Sequence, residues 1–159
     1  MFSKKINLII IYILTFSFIY SCVDDDVCDK IATPRLTIAF VDSLNQKLKK
    51  DSIFIDEVNL DNTMSRHVFS GIDSIKIPLN ALSDKTILYL YDKKSTPDSI
   101  KNIITVTYQT EQEYVSKACG FKILYKNVNF DPTRLTNIKK ITSKTTQIRE
   151  ESKNLYITY

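Results

Sequence analysis

The sequence predicts an all-β protein, specifically an antiparallel β-sandwich of immunoglobulin-like or related type. Eight or nine short runs combine β-branched and aromatic residues with a period of two. These runs recur about every ten residues, separated by clusters of Asp, Asn, Ser, Pro and Lys with turn character. No stretch long enough for an ordinary helix keeps a helical stripe, so helices are not expected to contribute to the core.

In chain order, the strand-like runs are PRLTIAFVD, SIFIDEV, SIKIPL, TILYLYD, NIITVTYQ, EYVSKA, GFKILYKNV, NIKKITSKTTQIRE and NLYITY. The first run alternates Leu36, Ile38 and Phe40 with smaller residues, as a half-buried strand does. The last run ends at Tyr159, and we expect it to pair within a sheet because a frayed end would leave its apolar residues in water. The segment NALSD is compatible with a single helical turn. Since the chain has only 2 glycines, longer loops are expected in place of many tight hairpin turns.

The N-terminus predicts a secretory leader over residues 1–21. Lys4 and Lys5 precede an apolar run from Ile6 to Tyr20, and Ser21 is a small residue at its end. The alternative is a transmembrane anchor, but the run is shorter than the roughly 20 residues that a spanning helix needs. We therefore divide the chain into a signal peptide (1–21), an acidic tether (22–31) and a β-sandwich domain (32–159).

The residue after the leader makes this a lipoprotein signal. The sequence Ile19-Tyr20-Ser21-Cys22 resembles the bacterial lipobox, although Tyr20 is bulkier than usual at its position. That resemblance implies that Cys22 is lipidated and becomes the new N-terminus. Two or three acyl chains would anchor the protein stably. The alternative is a plain cleaved signal that leaves Cys22 as an ordinary thiol.

Three aspartates follow the anchor cysteine. Asp24-Asp25-Asp26 form a short charged segment that is expected to stay in water. The run resembles the signal that exports some Bacteroidota lipoproteins to the outer face of the outer membrane; the alternative is a hydrophilic spacer. Calcium is not expected, because the spacing of a calcium loop is absent.

Two cysteines remain if Cys22 is acylated, and an oxidising compartment favours a bridge between Cys28 and Cys119. Such a bridge closes a loop of 91 residues. A free buried thiol at Cys119 and a local Cys22–Cys28 bridge in an unlipidated chain remain alternatives.

The tripeptide Asp-Ser-Leu/Ile occurs four times, placing serines at Ser43, Ser52, Ser74 and Ser99. It resembles the acceptor for O-glycosylation on Bacteroidota envelope proteins, which makes these serines candidate glycosylation sites. The alternative is structural, because Asp-Ser forms turns and an aliphatic residue can begin the next strand.

The sequence does not predict an enzyme, a metal site or a cofactor. The catalytic motifs of hydrolases, zinc proteases and phosphate-binding loops are absent. His67 is the only histidine, and no sequence pattern selects a nucleophile for it. The carboxylates Asp56, Glu57, Glu111 and Glu113 would have to converge in a cleft for glycosidic chemistry, whereas alternate glutamates on a strand usually form a solvated face.

The charge balance argues against nucleic acid as a partner. The net charge is +4, and the leader contributes two of the lysines and no acid, so the mature chain is close to neutral. Basic residues gather late, at Arg134, Lys139, Lys140, Lys144 and Arg149. These residues are expected to protect a strand edge, with contact to anionic headgroups or acidic polysaccharide as the alternative.

The lipobox at Cys22, the block CDKIATPRLTIAF, the block EYVSKACGFKILY and a closing strand are together similar to a family of small Bacteroidota lipoproteins, catalogued as domain of unknown function 6452. The resemblance implies an envelope β-protein and supports the pairing of Cys28 with Cys119. It implies no catalytic or ligand-binding residues.

These patterns together predict a lipid-anchored, non-enzymatic protein of the outer membrane, on its periplasmic or cell-surface face, that contacts an envelope protein or a glycan. The alternative is a small carbohydrate-binding module that assists polysaccharide capture. Such a module would present coplanar exposed tyrosines, for which Tyr89, Tyr91 and Tyr125 are the candidates.

Overall fold

The computed structural model describes Cys28 and residues 33–59, 61–93 and 97–159, with only the backbone of Ser99. The regular structure of these residues is nine strands and one short 3₁₀ helix at Asp98–Ile100. The strands are β1 (Leu36–Val41), β2 (Lys50–Val58), β3 (Met64–Ile72), β4 (Ser74–Ile77), β5 (Lys85–Tyr91), β6 (Asn102–Ser116), β7 (Gly120–Arg134), β8 (Lys140–Ser143) and β9 (Lys153–Thr158). The prediction of an all-β chain is confirmed.

The strands form two sheets. The four-stranded sheet has the order β4-β1-β9-β8, and the five-stranded sheet has the order β3-β2-β5-β6-β7. Every pairing is antiparallel except that of β1 with β9, which is parallel. The prediction of a purely antiparallel arrangement is therefore wrong for the four-stranded sheet, where the first and last strands of the domain lie side by side.

Both sheets contribute to one hydrophobic core. Alternate residues of each strand point inward, which places the apolar half of the period-two pattern between the sheets. The core residues include Leu36, Ile38, Phe40, Leu155 and Ile157 from one sheet, and Ile53, Ile55, Leu88, Leu90, Ile104 and Val106 from the other. Each is fully buried, and burial of one such side chain contributes about 1.5–3 kcal/mol.

The chain connects the two sheets at both edges. At one edge β3 runs into β4 through the single residue Asp73, next to Gly71 with a positive φ of 65°. At the other edge the segment after β8 pairs with β7, where Tyr125 and Ile148 exchange two backbone hydrogen bonds of 3.1 and 2.8 Å. This segment covers part of the outer edge of β7, which would otherwise carry unpaired backbone groups.

Three local predictions from the sequence are corrected. The runs NIITVTYQ and EYVSKA are one continuous strand, β6, and the unpredicted strand β3 lies at a sheet edge. The long run NIKKITSKTTQIRE contains only the four residues of β8 and one isolated bridge at Ile148. NALSD forms a turn rather than a helical turn, closed by a 3.4 Å bond from the Ser83 amide to the Asn80 carbonyl. The terminal strand is paired on both sides, as predicted.

Candidate functional site at the tip of a long hairpin

β6 and β7 form a hairpin of 15 residues per strand, closed by a turn at residues 117–119. β5 pairs with β6 only from Asn102 to Thr107. Beyond Thr107, β6 is paired with β7 alone as far as Ser116. The outer half of the hairpin therefore extends past the rest of the five-stranded sheet.

The two faces of this outer half differ. On one face Tyr114 and Phe121 are cross-strand partners whose rings meet edge to face, 5.5 Å between centroids. Both rings are exposed, at 57% and 61% of their surface. On the other face Glu113 accepts bonds from Lys122 at 2.6 Å and Arg149 at 2.9 Å. The tip is therefore amphipathic, with an aromatic face and an ion-paired face.

Hydrogen bonding explains the electrostatics of the ion-paired face. The Lys122 ammonium, and more weakly the charge of Arg149, hold the pKa of the Glu113 carboxyl below its ordinary value against a small opposing effect of burial. A second pair, Glu111 with Lys126 at 2.7 Å, lies on the same two strands. These side chains are partly solvated, so each pair contributes little to stability.

A disulfide ties the tip to the N-terminal side of the domain. Cys28 and Cys119 are bonded, with 4.9 Å between their α-carbons. The Cys119 amide also donates to the Ser116 hydroxyl at 3.1 Å within the turn. A second link lies farther along β7, where the Ile123 amide donates to the Thr33 hydroxyl at 3.1 Å. The chain that precedes β1 is therefore fastened to the projecting hairpin at two points.

A buried ionic cluster lies on the outer face of the five-stranded sheet. The Asp56 carboxylate is bonded by Arg66 at 2.7 and 3.1 Å, by the Tyr91 hydroxyl at 2.9 Å and by Lys101 at 3.4 Å. The Lys101 ammonium also lies 4.3 Å from the centroid of the Tyr91 ring. Burial raises the pKa of Asp56, but the three donors outweigh it and hold the pKa below the ordinary value. Sequence reasoning missed this cluster, although Asp56 interrupts an apolar run.

The match to a family model covers residues 36–159, from the start of β1 to the last residue, and the model is described as Family of unknown function (DUF6452). The chain belongs to that family. The resemblance seen in the sequence is confirmed to this extent, whereas the lipoprotein nature and the Bacteroidota origin stay predictions. No curated protein and no solved structure matches the chain.

The N-terminal predictions for this DUF6452 protein lie outside the described residues. They comprise the signal peptide (1–21), lipidation at Cys22 and most of the acidic tether (22–31), of which only Cys28 is described. Among the described residues, no helix is long and apolar enough to cross a membrane.

The candidate glycosylation serines differ in accessibility. Ser43 is exposed in the turn after β1. Ser52 and Ser74 are half-buried at the beginnings of β2 and β4, and the Ser52 hydroxyl donates to the Asp92 carbonyl at 2.9 Å. Ser99 lies in the short 3₁₀ helix, and its side chain is not described.

The tyrosines considered as a carbohydrate platform do not form one. Tyr91 and Tyr125 are buried, at 2% and 0% exposure, and only Tyr89 of the three is partly accessible. Tyr125 donates its hydroxyl proton to the Leu79 carbonyl at 3.0 Å, and burial raises its pKa to about 12. Tyr91 and Tyr125 therefore have structural roles.

The groups considered for catalysis do not converge. Asp56 and Glu57 are adjacent on β2, so they point to opposite faces of the sheet, and Glu111 and Glu113 are at the hairpin tip. His67 on β3 places its Nε2 atom 3.7 Å from a Glu57 carboxylate oxygen. Burial raises the pKa of Glu57, which attraction to His67 partly opposes. No group of three or more metal-ligating side chains is found among the described residues.

The basic residues that gather late in the sequence make separate contacts in the structure and do not form one patch around a shared partner. Arg134 donates to the Lys101 carbonyl at 2.9 Å, and Arg149 is bonded to Glu113. Lys139 donates to the Ser43 hydroxyl at 3.1 Å. Lys140 is exposed on β8, an edge strand, where a lysine opposes pairing with another sheet.

A shallow cleft of about 300 Å³ lies near the start of β6. It is lined by Tyr91, Asp92, Lys93, Ile100, Asn102, Thr136 and Asn137. Its amides largely satisfy one another, since Asn102 donates to the Asn137 side chain at 2.6 Å and Asn137 donates to Asp92 at 3.0 Å. Apart from the exposed Lys93, few polar groups remain to orient a ligand, so the hairpin tip is the stronger candidate for a contact site.

Proposed function

We propose that this DUF6452 protein is a lipid-anchored, non-enzymatic β-sandwich of the outer membrane that works by contact with another envelope component. The observation that carries the proposal is the Cys28–Cys119 disulfide. Stable disulfides are a feature of proteins outside the reducing cytoplasm. Cys28 also follows the lipobox cysteine by only six residues, so the bond joins the folded domain almost directly to the proposed anchor.

The non-enzymatic part of the proposal is supported by the separate surroundings of the ionisable groups. Asp56 and Glu113 are each neutralised by basic partners, and within the described part of the chain His67 is paired with one carboxylate, that of Glu57. The family assignment adds no activity. The alternative, a carbohydrate-binding module, has less support because two of its three candidate tyrosines are buried.

Lipidation is tested by expressing the full chain in a bacterium that processes lipoproteins. The expected product begins at Cys22, carries acyl chains and sediments with the membrane fraction. A Cys22→Ser variant is expected to lose the acyl mass and membrane association, whereas Cys119→Ser is expected to keep both. Recovery of the chain with residues 1–21 attached, or with an unmodified Cys22 thiol, overturns the proposal.

Apart from the hairpin tip, β3, an edge of the five-stranded sheet, is the surface that we propose for a protein contact. Met64 and Val68 are exposed there, at 55% and 58%, on an edge that offers backbone groups to a partner strand. A photo-crosslinking residue at Val68 is expected to capture a discrete envelope partner on intact cells. The matched control is Leu82, which is 86% exposed in a turn; equal capture from both positions contradicts a specific contact at β3.

Among the candidate glycosylation sites, Ser43 is the best placed acceptor. It is exposed, and Asp42 shapes the turn by accepting bonds from the Leu44 and Gln46 amides, both at 2.8 Å. A glycan is expected as added mass in the intact protein from a glycosylating host, lost in Ser43→Ala and retained in Ser52→Ala. An intact mass without a glycan, or one unchanged by Ser43→Ala, is the contrary result.

A further inference from the structure

The aromatic face of the hairpin tip continues the apolar face of the core. Tyr125 is buried, Ile123 is half-buried and Phe121 is 61% exposed, so successive residues on this face of β7 emerge into solvent toward the turn. Tyr114 lies opposite Phe121 and is exposed to a similar degree. Two adjacent exposed rings at the end of a projecting hairpin form a contact surface more readily than a scattered apolar side chain does.

The disulfide keeps this surface close to the anchor. The five residues between Cys22 and Cys28 make six steps from α-carbon to α-carbon, which span at most about 22 Å when fully extended. Cys28 is bonded to Cys119, and Phe121 follows Cys119 by two residues. The start of β6 at Asn102 lies at the opposite end of the strand, roughly 40 Å from Tyr114 at the usual rise per residue. The tether therefore keeps the tip end of the domain near the lipid and places no such limit on the start of β6.

The chemistry of the pair fits the boundary between headgroups and acyl chains. A tyrosine ring with its hydroxyl in water and a neighbouring apolar ring is the composition found at membrane interfaces. The exposed Lys117 in the turn adds a positive charge that anionic headgroups attract. The rings cross at 68°, so they do not offer the flat platform that a sugar ring stacks on.

We propose that Tyr114 and Phe121 lie in the interfacial region of the bilayer that holds the Cys22 lipid, so that the hairpin points toward the membrane and the start of β6 points away from it. This inference rests on the proposed lipid anchor. Because the tether makes contact an intramolecular event at high effective concentration, a weak affinity of two rings for the interface is sufficient.

The chain has no tryptophan, so one introduced tryptophan reports its own position without background. The test uses the full lipidated chain with Phe121→Trp, reconstituted into vesicles of phosphatidylethanolamine and phosphatidylglycerol with or without brominated acyl chains. The expected result is a blue-shifted emission that brominated lipid quenches and aqueous acrylamide quenches poorly. Tyr114→Trp, at the partner position, is expected to behave alike and serves if Phe121→Trp does not fold.

The matched control is Ile100→Trp, an apolar position that is 52% exposed near the start of β6. Its emission is expected to respond to acrylamide and not to brominated lipid. The inference is overturned if brominated lipid quenches Phe121→Trp and Ile100→Trp equally, or if it quenches neither of them. Neither outcome argues against the lipid anchor. Protection of Phe121→Trp from both quenchers also overturns it, because a protein surface then covers the pair.

Flotation of the vesicles separates failure of the anchor from failure of the inference. Protein that does not float with the vesicles refutes the lipid anchor, and with it the inference. Protein that floats but gives a fully water-exposed tryptophan at position 121 refutes only the placement of the tip.

Discussion

Replacement of Asp56 by asparagine tests whether the buried ionic cluster is a structural unit. The side chain keeps its size and loses its charge, so packing is little changed. One of its two oxygens becomes an amide nitrogen, which cannot accept the bonds that Arg66, Tyr91 and Lys101 now make. The two cations are then left with a weaker partner on the face of the sheet.

The expected loss of unfolding free energy in Asp56→Asn follows from how deeply Asp56 and its partners are buried. The Asp56 side chain is 1% exposed and that of Lys101 is 9% exposed, so their interaction is poorly screened. Removal of one member of such a buried pair typically costs 3–5 kcal/mol. Two features reduce this cost: the Arg66 side chain is 45% exposed, and Lys101 keeps a second bond of 2.8 Å to Asp98. We therefore expect Asp56→Asn to lower the free energy of unfolding by about 3 kcal/mol.

The assay is urea denaturation at neutral pH, with Glu111→Gln as the matched control. Glu111 also pairs with a lysine on the five-stranded sheet, but the two side chains are 44% and 38% exposed, and its loss is expected to cost at most about 0.5 kcal/mol. The slope against urea is expected to stay unchanged in both variants, since the folded surface is the same. If Asp56→Asn costs no more than Glu111→Gln, the cluster does not stabilise the fold.

The depressed pKa of Asp56 adds a pH dependence to the same experiment. Because the folded-state pKa lies below the ordinary value of 3.8, its stabilisation is fully present above that value. It is lost as the pH falls through the folded-state pKa. The difference in unfolding free energy between the wild type and Asp56→Asn is therefore expected to shrink below pH 3.8. A constant difference down to pH 2.5 contradicts the ionic origin of the effect.

Three further predictions concern the tip and the four-stranded sheet. Replacing both Cys28 and Cys119 by serine opens a loop of 91 residues and is expected to lower the unfolding free energy by about 4–5 kcal/mol, measured by denaturation with and without reductant; an equal midpoint for the variant and the oxidised wild type is the contrary result. Gly120 has a φ of 67° with open space around it, so Gly120→Ala is expected to lower the free energy of unfolding by about 1–2 kcal/mol through backbone strain alone. Gly120→Asn is expected to lower it less in the same denaturation assay, and equal losses for the two variants contradict this reason. Hydrogen bonds from basic side chains lower the pKa of Glu151 to about 2, so its stabilisation is present above the ordinary pKa of 4.5 and is lost toward pH 2. Glu151→Gln is therefore expected to reduce the fall in melting temperature between pH 4.5 and pH 2, and an unchanged fall refutes this.

The sequence predicts the central strands well because their burial leaves a clear pattern. β1, β5 and β9 are rich in apolar residues at alternate positions and lie inside their sheets. β3 was missed because it is an edge strand with many half-exposed or exposed residues, so its pairing with β2 and not its own composition makes it a strand. Likewise, the polar residues after Tyr108 end the alternating pattern, although β6 continues because β7 pairs with it.

Long-range pairing cannot be read from local patterns. The parallel alignment of β1 with β9 joins the two ends of the domain, and no short window of sequence specifies it. Asparagine takes the place of glycine at three positions with positive φ: Asn45 and Asn62 in the turns after β1 and β2, and Asn127 where the register shifts within β7. Asparagine tolerates this backbone region better than most residues, so short connections are possible with few glycines.

The candidate site was predictable in one part only. The pairing of Cys28 with Cys119 was one of a few alternatives that counting cysteines leaves open. That Tyr114 and Phe121 are neighbours depends on the register of β6 against β7, and that they are exposed depends on β5 ending its pairing at Thr107. Neither fact is visible in the residues themselves, since the same aromatic alternation in a central strand would be core.

The disulfide and the exposed rings are best understood as two parts of one arrangement. A two-stranded hairpin without a sheet beneath it is marginally stable in water, and the outer half of β6 and β7 lacks such support from β5. The disulfide to Cys28 and the hydrogen bond that the Ile123 amide donates to the Thr33 hydroxyl stabilise that half from the N-terminal side. A hairpin held in this way keeps its aromatic face in a fixed position relative to the chain that leads to Cys22. Opening the disulfide should therefore free the tip to move relative to the chain that leads to Cys22, in addition to the loss of stability that follows from opening the loop.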